Sequence, residues 1–366
     1  MIRVLHIQKL KGIAGSERHL LTLLPRLDRA RFAPSMLMLE EPARPVDQFA
    51  RELEAAGVHT RRVTIRRDVD PVCWYRVRAA VARGRYDIVH THLIHGDLYG
   101  VTAAAFVRPR PRVIASKHGY ENYAHTTPLY KIGYVLNPVL SRVVTISDAL
   151  QPKVADAEGL PRAKMVTIHY GLDLPAKAEP PVIAEPLKLV SVGRLVNVKG
   201  YPYLLQALAA LGPEASRVHL TIVGDGPERE RLTALAAALR IASHVTFAGW
   251  QQDVRAYLRD AHVFVLPTLG EGFGLAVLEA MGEALPVIAS NTMSLPEIVA
   301  DGVTGWLVPP ADANALAAAI RRCLEHPGLL PSMGAAGRVR GLDLFSVSRM
   351  VQQTEALYED VMKDAR

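Results

Sequence analysis

Two glutamates eight positions apart, Glu271 and Glu279, bracket the stretch Glu-Gly-Phe-Gly-Leu-Ala-Val-Leu-Glu. A carboxylate accepts two hydroxyl hydrogens at once, so one of the pair suits vicinal sugar hydroxyls and the other a ribose diol. Gly270, Gly272 and Gly274 lie between a predicted strand and a predicted helix. Glycines there let backbone N–H groups approach a ligand closely at a helix start. Upstream, Gly193 ends another predicted strand and is followed by Arg194 and Lys199. Fixed cations at the carboxyl edge of a sheet can stabilise the charge that develops on a departing diphosphate. Each feature alone also fits a plainer role, as a glycine-rich turn with surface glutamates or a solvated lysine beside a helix-start arginine.

The first half of the chain holds weaker signals. Lys11-Gly-Ile-Ala-Gly-Ser-Glu-Arg18 follows the first predicted strand and opens a helix. It lacks the full G-x-G-x-x-G spacing of a dinucleotide site, and Gly15 is its best candidate for a phosphate contact. Ser16 stands where it could cap the helix. His90 and His92, one residue apart on a strand, point to the same face. That suits metal binding only superficially, since no cysteine or carboxylate ligand lies nearby in the sequence, and no metal is expected. His118 also follows a predicted strand, at the same sheet edge. Asp68-Val-Asp70 has a spacing that can hold a divalent cation, but it precedes Pro71 in an arginine-rich stretch and reads as a loop or helix-start pair.

The elements that must position these residues alternate in type. Short apolar β-branched runs alternate with helical-period segments, the pattern of a parallel sheet covered on both faces. Predicted strands are 3–7, 35–39, 58–65, 87–90, 112–115, 143–146 and 165–168, with helices at 17–27, 46–56, 74–83 and 148–158. Four prolines from Leu172 to Pro186 then interrupt the rhythm and read as a linker. The rhythm restarts with strands at 187–192, 219–223, 245–247, 263–266 and 287–289. Two doubly wound α/β domains facing each other predict an interdomain cleft.

Composition limits the alternatives. The 366 residues suit two domains, and 49% hydrophobic against 22% charged residues excludes a disordered or fibrous chain. No apolar run reaches the ~20 residues of a bilayer-spanning helix, and the N-terminus runs straight into a strand pattern, so a cytoplasmic protein is expected. Cys73 and Cys323 fall in different predicted domains, which fits a reducing compartment. Residues 1–180 carry 27 Lys and Arg against 17 Asp and Glu, whereas the remainder carries 16 against 19. The basic half suits an anionic membrane surface or a phosphate-bearing substrate. Without aromatic interleaving or a known module, nucleic acid is not expected as a partner.

The stretch from Glu271 to Gly282 resembles the E-x7-E motif of retaining GT-B glycosyltransferases, specifically glycosyltransferase family 4. Leu295-Pro-Glu-Ile-Val299, Asp301-Gly-Val-Thr-Gly-Trp-Leu-Val-Pro309, Val192-Gly-Arg-Leu195 with Lys199-Gly200, and Val223-Gly-Asp-Gly-Pro227 extend the resemblance over the C-terminal half. In the N-terminal half, Ala14-Gly15 stands where the family has paired glycines. The resemblance implies a GT-B fold with an acceptor-binding domain at 1–172, a linker at 173–186, a donor domain at 187–345 and a C-terminal helix, 346–366, packing back on the first domain. It implies a metal-independent, cofactor-free hexosyltransferase that retains anomeric configuration. Its donor would be a nucleotide sugar, UDP-linked in preference to GDP-mannose, and its acceptor a glycan, lipid-linked or small molecule. By the same resemblance His118 and Glu271 hold the donor sugar, Glu279 binds the ribose, and Arg194 and Lys199 bind the diphosphate. Gly15, Phe273, Gly274 and Leu275 line the donor, the His-x-His pair is structural or cleft-lining, and Trp250 and Gln251 lie near the nucleobase. Two other functions fit parts of the pattern, an NAD(P)-dependent oxidoreductase and a non-catalytic sugar-nucleotide-binding protein. The first leaves the C-terminal motifs unexplained, and the co-occurrence of His118, Arg194, Lys199, Glu271 and Glu279 argues against the second.

Overall fold

The computed structural model describes residues 1–13, 15–43, 46–119 and 135–363. Ala14 and the start of the apolar stretch between Lys131 and Arg142 lie outside the described residues. The chain divides into two compact units, one formed by Met1–Gly171 with the chain from Val347 on, the other by Leu172–Ser346.

The first unit is built on seven parallel strands: β1 Ile2–Leu10, β2 Phe32–Glu40, β3 His59–Thr64, β4 Ile88–His92, β5 Arg112–Lys117, β6 Arg142–Thr145 and β7 Met165–Thr167. Their order is β3-β2-β1-β4-β5-β6-β7. The second unit has six, β8 Leu187–Val192, β9 Val218–Val223, β10 Val245–Gly249, β11 Val263–Leu266, β12 Val287–Ser290 and β13 Gly305–Val308. They are arranged β10-β9-β8-β11-β12-β13. In each sheet the order reverses beside the first strand, between β1 and β4 and between β8 and β11. Crevices at such reversals, outside the carboxyl ends of the strands, are where open α/β sheets bind ligands.

The predicted strands fall on observed ones with ends shifted by at most three residues, and β13 is an addition to them. Helical structure at Leu93–Gly96, Asp97–Val101 and Thr102–Ala105 covers the apolar run that follows β4. Two further differences have clear causes. The first helix spans Gly15–Leu23, so Ser16 lies inside its first turn instead of capping it, and its hydroxyl is tied to Gln8 and Glu17. The proline-rich stretch has no helix, yet it does not hang free. Leu174 packs over Gly282 and Gly341, and Arg338 donates to the Pro175 carbonyl, so this segment is fastened to the second unit.

One face of the first sheet carries Val4, Met36, Met38, Ile88, Ile114 and Val144 in a core shared with Val347, Met350, Leu357 and Tyr358 of the C-terminal helix Val347–Lys363. That helix thus completes the first unit's core. Among the described residues no helix is long and apolar enough to cross a membrane.

Candidate active site

In the second unit, β8 ends at Val192, and Gly193 and Arg194 form the turn beyond it. Arg194 is exposed there. The chain then makes a short 3-10 turn, Asn197–Lys199, before the helix Tyr201–Ala210. Beyond β11, Thr268 donates to the carbonyls of Val198 and Gly270, both at 2.9 Å, and the Leu269 amide reaches the Val198 carbonyl at 2.7 Å. These bonds tie the two loops together at the reversal of the strand order. Lys199 Nζ and a Glu271 carboxylate oxygen meet there as an ion pair, with side chains 19% and 18% exposed. Exposure at that level leaves both heads in reach of a ligand.

Glycine is required at two points behind this pair. Gly224, at a φ of +139°, packs so closely that an added Cβ would stand 2.0 Å from the Gly193 carbonyl oxygen, so the β8 and β9 loop ends can nest. Gly274, at a φ of +88°, caps the helix Leu275–Gly282 in the left-handed conformation that L side chains rarely adopt. Ser294 donates to the Glu271 carbonyl at 3.1 Å and fixes the loop from the other side. Leu275 is the first residue of the helix, and Glu279, half-buried, lies little more than one turn along it. Phe273 departs from a ligand-lining part: its ring is 2% exposed and meets Phe345 edge-on at 5.8 Å. Trp250 is 72% exposed beyond β10, two strands out from β8, and Gln251 donates to the Ala248 carbonyl beside it.

The first unit presents different chemistry at the corresponding edge. Parallel register pairs His6 with His90, Gln8 with His92, and His92 with Ser116, so their side chains share one face. The apolar ladder of that face gives way to polar residues toward the carboxyl ends of the strands. His6, His90 and His92 are buried, and His118 follows β5 with partial exposure. Burial pushes the imidazolium form of His6 down to about 3 and that of His19 to about 4, and it holds His90, His92 and His118 well below the usual histidine range. All are neutral at ordinary pH. His6, His90 and His92 bring ring nitrogens within ligand distance of one another, and each of those nitrogens already has a hydrogen-bond partner.

His118 has both ring nitrogens engaged, Nε2 with His92 at 2.8 Å and Nδ1 with the Tyr170 hydroxyl at 2.6 Å. Gly15 opens the first helix, and Glu17 just beyond it accepts from Gln8 at 2.7 Å. Leu93, directly after His92, takes a φ of +61°, a strained conformation of the kind that collects at functional sites. On the other face of β5, Lys117 is buried between Asp97 at 2.7 Å and Glu158 at 2.6 Å. Burial disfavours its charge, but the two carboxylates more than offset this and keep it an ammonium.

Asp68 and Asp70 go separate ways. Asp70 caps the helix Pro71–Gly84 by accepting from the Val72 and Cys73 amides at 3.0 and 3.1 Å, while Asp68 pairs with Lys9 and His95. His6, His19, Tyr170 and Tyr358 join this cluster without having been singled out by the sequence. The period-2 pairing of polar residues on β1, β4 and β5 is the signal that could have found His6. Tyr358 carries no local mark, because its partners are distant in sequence.

Residues 13–175 match the family model described as Glycosyltransferase Family 4, and residues 176–340 match Glycosyl transferases group 1. Together the two models account for most of the chain, which belongs to glycosyltransferase family 4 and has the GT-B fold. Among its relatives is the GDP-mannose-dependent alpha-(1-6)-phosphatidylinositol monomannoside mannosyltransferase of Mycolicibacterium smegmatis, 32% identical over 63% of this chain and 66% of that protein. Another is the lipopolysaccharide core biosynthesis glycosyltransferase LpsE of Rhizobium meliloti, 34% identical over 48% of each chain. The matched stretches thus span about half to two thirds of these relatives. Of solved structures, Anabaena Alr3699/HepE in complex with UDP has a TM-score of 0.84 at 21% identity, covering 98% of this chain and 100% of that one. The sucrose-phosphate synthase of Thermosynechococcus elongatus has 0.80 at 23%, covering 100% of both. At these identities the likeness to solved structures is one of fold.

Proposed function

We propose that this chain is a retaining glycosyltransferase, moving a sugar from a nucleotide-sugar donor to a hydroxyl of a glycan, lipid-linked or small-molecule acceptor. The observation that carries the reading is the Lys199–Glu271 pair at the carboxyl ends of β8 and β11. Glu271 accepts hydroxyls of the donor sugar, which releases Lys199 to the diphosphate beside Arg194. Glu279 accepts the ribose diol. The backbone of Phe273, Gly274 and Leu275, at a helix start, faces the phosphates, with Gly15 lining the donor from the N-terminal domain. His118 holds the sugar in this scheme, as a ring already fixed on both sides.

Both glutamates are then occupied with hydroxyls, so neither is free to act as base or nucleophile. The bond from the anomeric carbon to the diphosphate oxygen breaks as the acceptor oxygen bonds the same face. The acceptor's proton passes to the departing diphosphate, and Arg194 and Lys199 neutralise the charge that develops. The cations fill a metal's electrostatic role, and no cofactor enters. Complexes of the Anabaena relative with UDP and with UDP-glucose favour a UDP-sugar, while the mycobacterial relative's GDP-mannose keeps that donor as the rival. A donor-hydrolysis screen over UDP- and GDP-sugars tests the reading. Consumption of at least one donor is expected, and turnover of a nicotinamide cofactor in its place would contradict it.

Peripheral contact with an anionic membrane on its cytoplasmic face is a further part of the proposal. Val69, Val72 and Tyr75 are 59%, 59% and 65% exposed next to Arg66, Arg67 and Arg76. Basic residues near an anionic leaflet contribute about 1 kcal/mol each. Flotation with anionic vesicles that weakens in salt is expected; equal binding to neutral vesicles would contradict it.

A further inference from the structure

The polar face of the first sheet forms a single line of hydrogen bonds. Ser116 Oγ lies 2.7 Å from His90 Nε2, and His90 Nδ1 lies 2.8 Å from the Tyr358 hydroxyl. That hydroxyl is 3.2 Å from His6 Nε2, and His6 Nδ1 is 2.9 Å from His92 Nε2. His92 Nδ1 then reaches His118 Nε2 at 2.8 Å, and His118 Nδ1 reaches the Tyr170 hydroxyl at 2.6 Å. Each histidine uses one nitrogen toward each neighbour.

A neutral imidazole has one N–H and one lone pair, and a hydroxyl has one hydrogen to give. Each histidine must therefore accept on one side and donate on the other, and the buried Tyr358 hydroxyl, whose partners among the described residues are His90 and His6, must give its hydrogen to one and accept from the other. Only two orders are complete: all donors toward Tyr170, with each histidine protonated on Nδ1, or all donors toward Ser116, with each protonated on Nε2. The ends decide between them. Ser116 is buried, and among the described residues its hydroxyl has one partner, His90 Nε2. If it accepted there, its own hydrogen would be buried without an acceptor. At the other end the Tyr170 hydroxyl oxygen, 2.6 Å from His118 Nδ1, can accept the last hydrogen of the line.

The geometry points to a one-way relay from Ser116 to Tyr170 that fixes His118 as its Nδ1–H tautomer and makes Tyr358 a positioning residue for it. Tyr358 supplies the middle link from the C-terminal helix, so docking of that helix completes the order felt at the far end. The relay needs no assumption about activity; its functional consequence rests on the proposed role of His118 at the donor sugar. A ring fixed in tautomer and orientation before binding need not be ordered by the donor, which lowers the cost of reaching the reactive geometry.

Tyr358→Phe keeps the ring in its contacts with Phe32 and His90 and deletes only the hydroxyl. Ser116→Ala removes the donor that sets the direction and lies on a different element. Nitrogen NMR of the full chain labelled with 15N-histidine reads the tautomer of His118 directly. Wild type is expected to show His118 protonated on Nδ1 alone. Either folded variant is expected to give a mixture of tautomers, with kcat reduced and donor KM held. A wild-type His118 protonated on Nε2, or an unchanged tautomer in every variant that folds, overturns the relay. If no nucleotide sugar is turned over at all, the proposed activity fails while the tautomer readout still decides the relay.

Discussion

Beside the reversal of the first sheet stand imidazoles that burial keeps neutral; beside the reversal of the second stand Lys199 and Glu271, paired and each about a fifth exposed. The strand arrangement around the two positions is the same, β1 next to β4 and β8 next to β11. What differs is access. In the first unit the helix Val347–Lys363 covers the face, and its Tyr358 hydroxyl meets His90 Nδ1 and His6 Nε2 in an internal bond. In the second, the loops after β8 and β11 are tied to each other through backbone and Thr268, leaving the charged heads of Lys199 and Glu271 part-exposed. One topology thus serves a prearranged neutral scaffold in one unit and a charged, part-exposed edge in the other.

Lys199→Ala attacks the charged edge and has the largest expected effect. Removing one preorganised group that stabilises developing negative charge typically lowers kcat by roughly 10²–10³-fold. Steady-state kinetics beside donor calorimetry should show turnover falling further than affinity. Equal losses in both would mean that Lys199 binds ground and transition states alike.

Acid attacks the neutral side. His6 and His19 have folded-state values of about 3 and 4 against an ordinary 6.5, so below pH 6.5 the unfolded chain takes up protons that the folded chain refuses. Their contribution is complete above pH 6.5 and is lost as pH falls toward 4 and 3, at up to about 1.4 kcal/mol per pH unit for each histidine. Thermal melts taken from about pH 7.5 to about pH 5 should show a falling Tm. A flat profile would mean that these imidazoles charge freely in the fold.

Glu279→Ala is expected to weaken nucleotide binding by roughly 1.5–3 kcal/mol, the range for a hydrogen bond to a charged group. Unchanged nucleotide affinity in calorimetry would remove the ribose assignment. Smallest is Asp70→Ala, which deletes a helix cap worth about 1 kcal/mol. It should lower Tm by a few degrees with turnover intact. A collapse of activity instead, rescued by magnesium or manganese, would return the Asp68–Asp70 pair to consideration as a cation site.

The strands and the charged edge were legible because their signals are local. Apolar β-branched runs mark β8 and β11, and the glycines, Arg194, Lys199 and the glutamates follow within 13 residues of the strand ends they use. The tie between their loops follows from strand order, which no short window reports. The neutral scaffold was less visible. His90 and His92 announce themselves, but their partners His6, Ser116 and Tyr358 come from β1, β5 and the last helix. A hydrogen bond spanning 268 positions has no sequence period. Ser16 does not cap because its helix begins at Gly15, two residues before the periodic pattern does, and its hydroxyl meets a strand residue, Gln8. Phe273 enters the donor loop by resemblance alone, and the burial of its aromatic ring has no local mark in the sequence.

The central claim, metal-free transfer with retention driven by the charges at the second sheet's edge, is tested most directly by real-time proton NMR of the full chain with an α-configured nucleotide sugar and acceptor in excess chelator. The account predicts loss of the donor's anomeric signal and a first-formed product that is α-linked. A β-linked first product, or a donor that is consumed only once magnesium or manganese is restored, would contradict it.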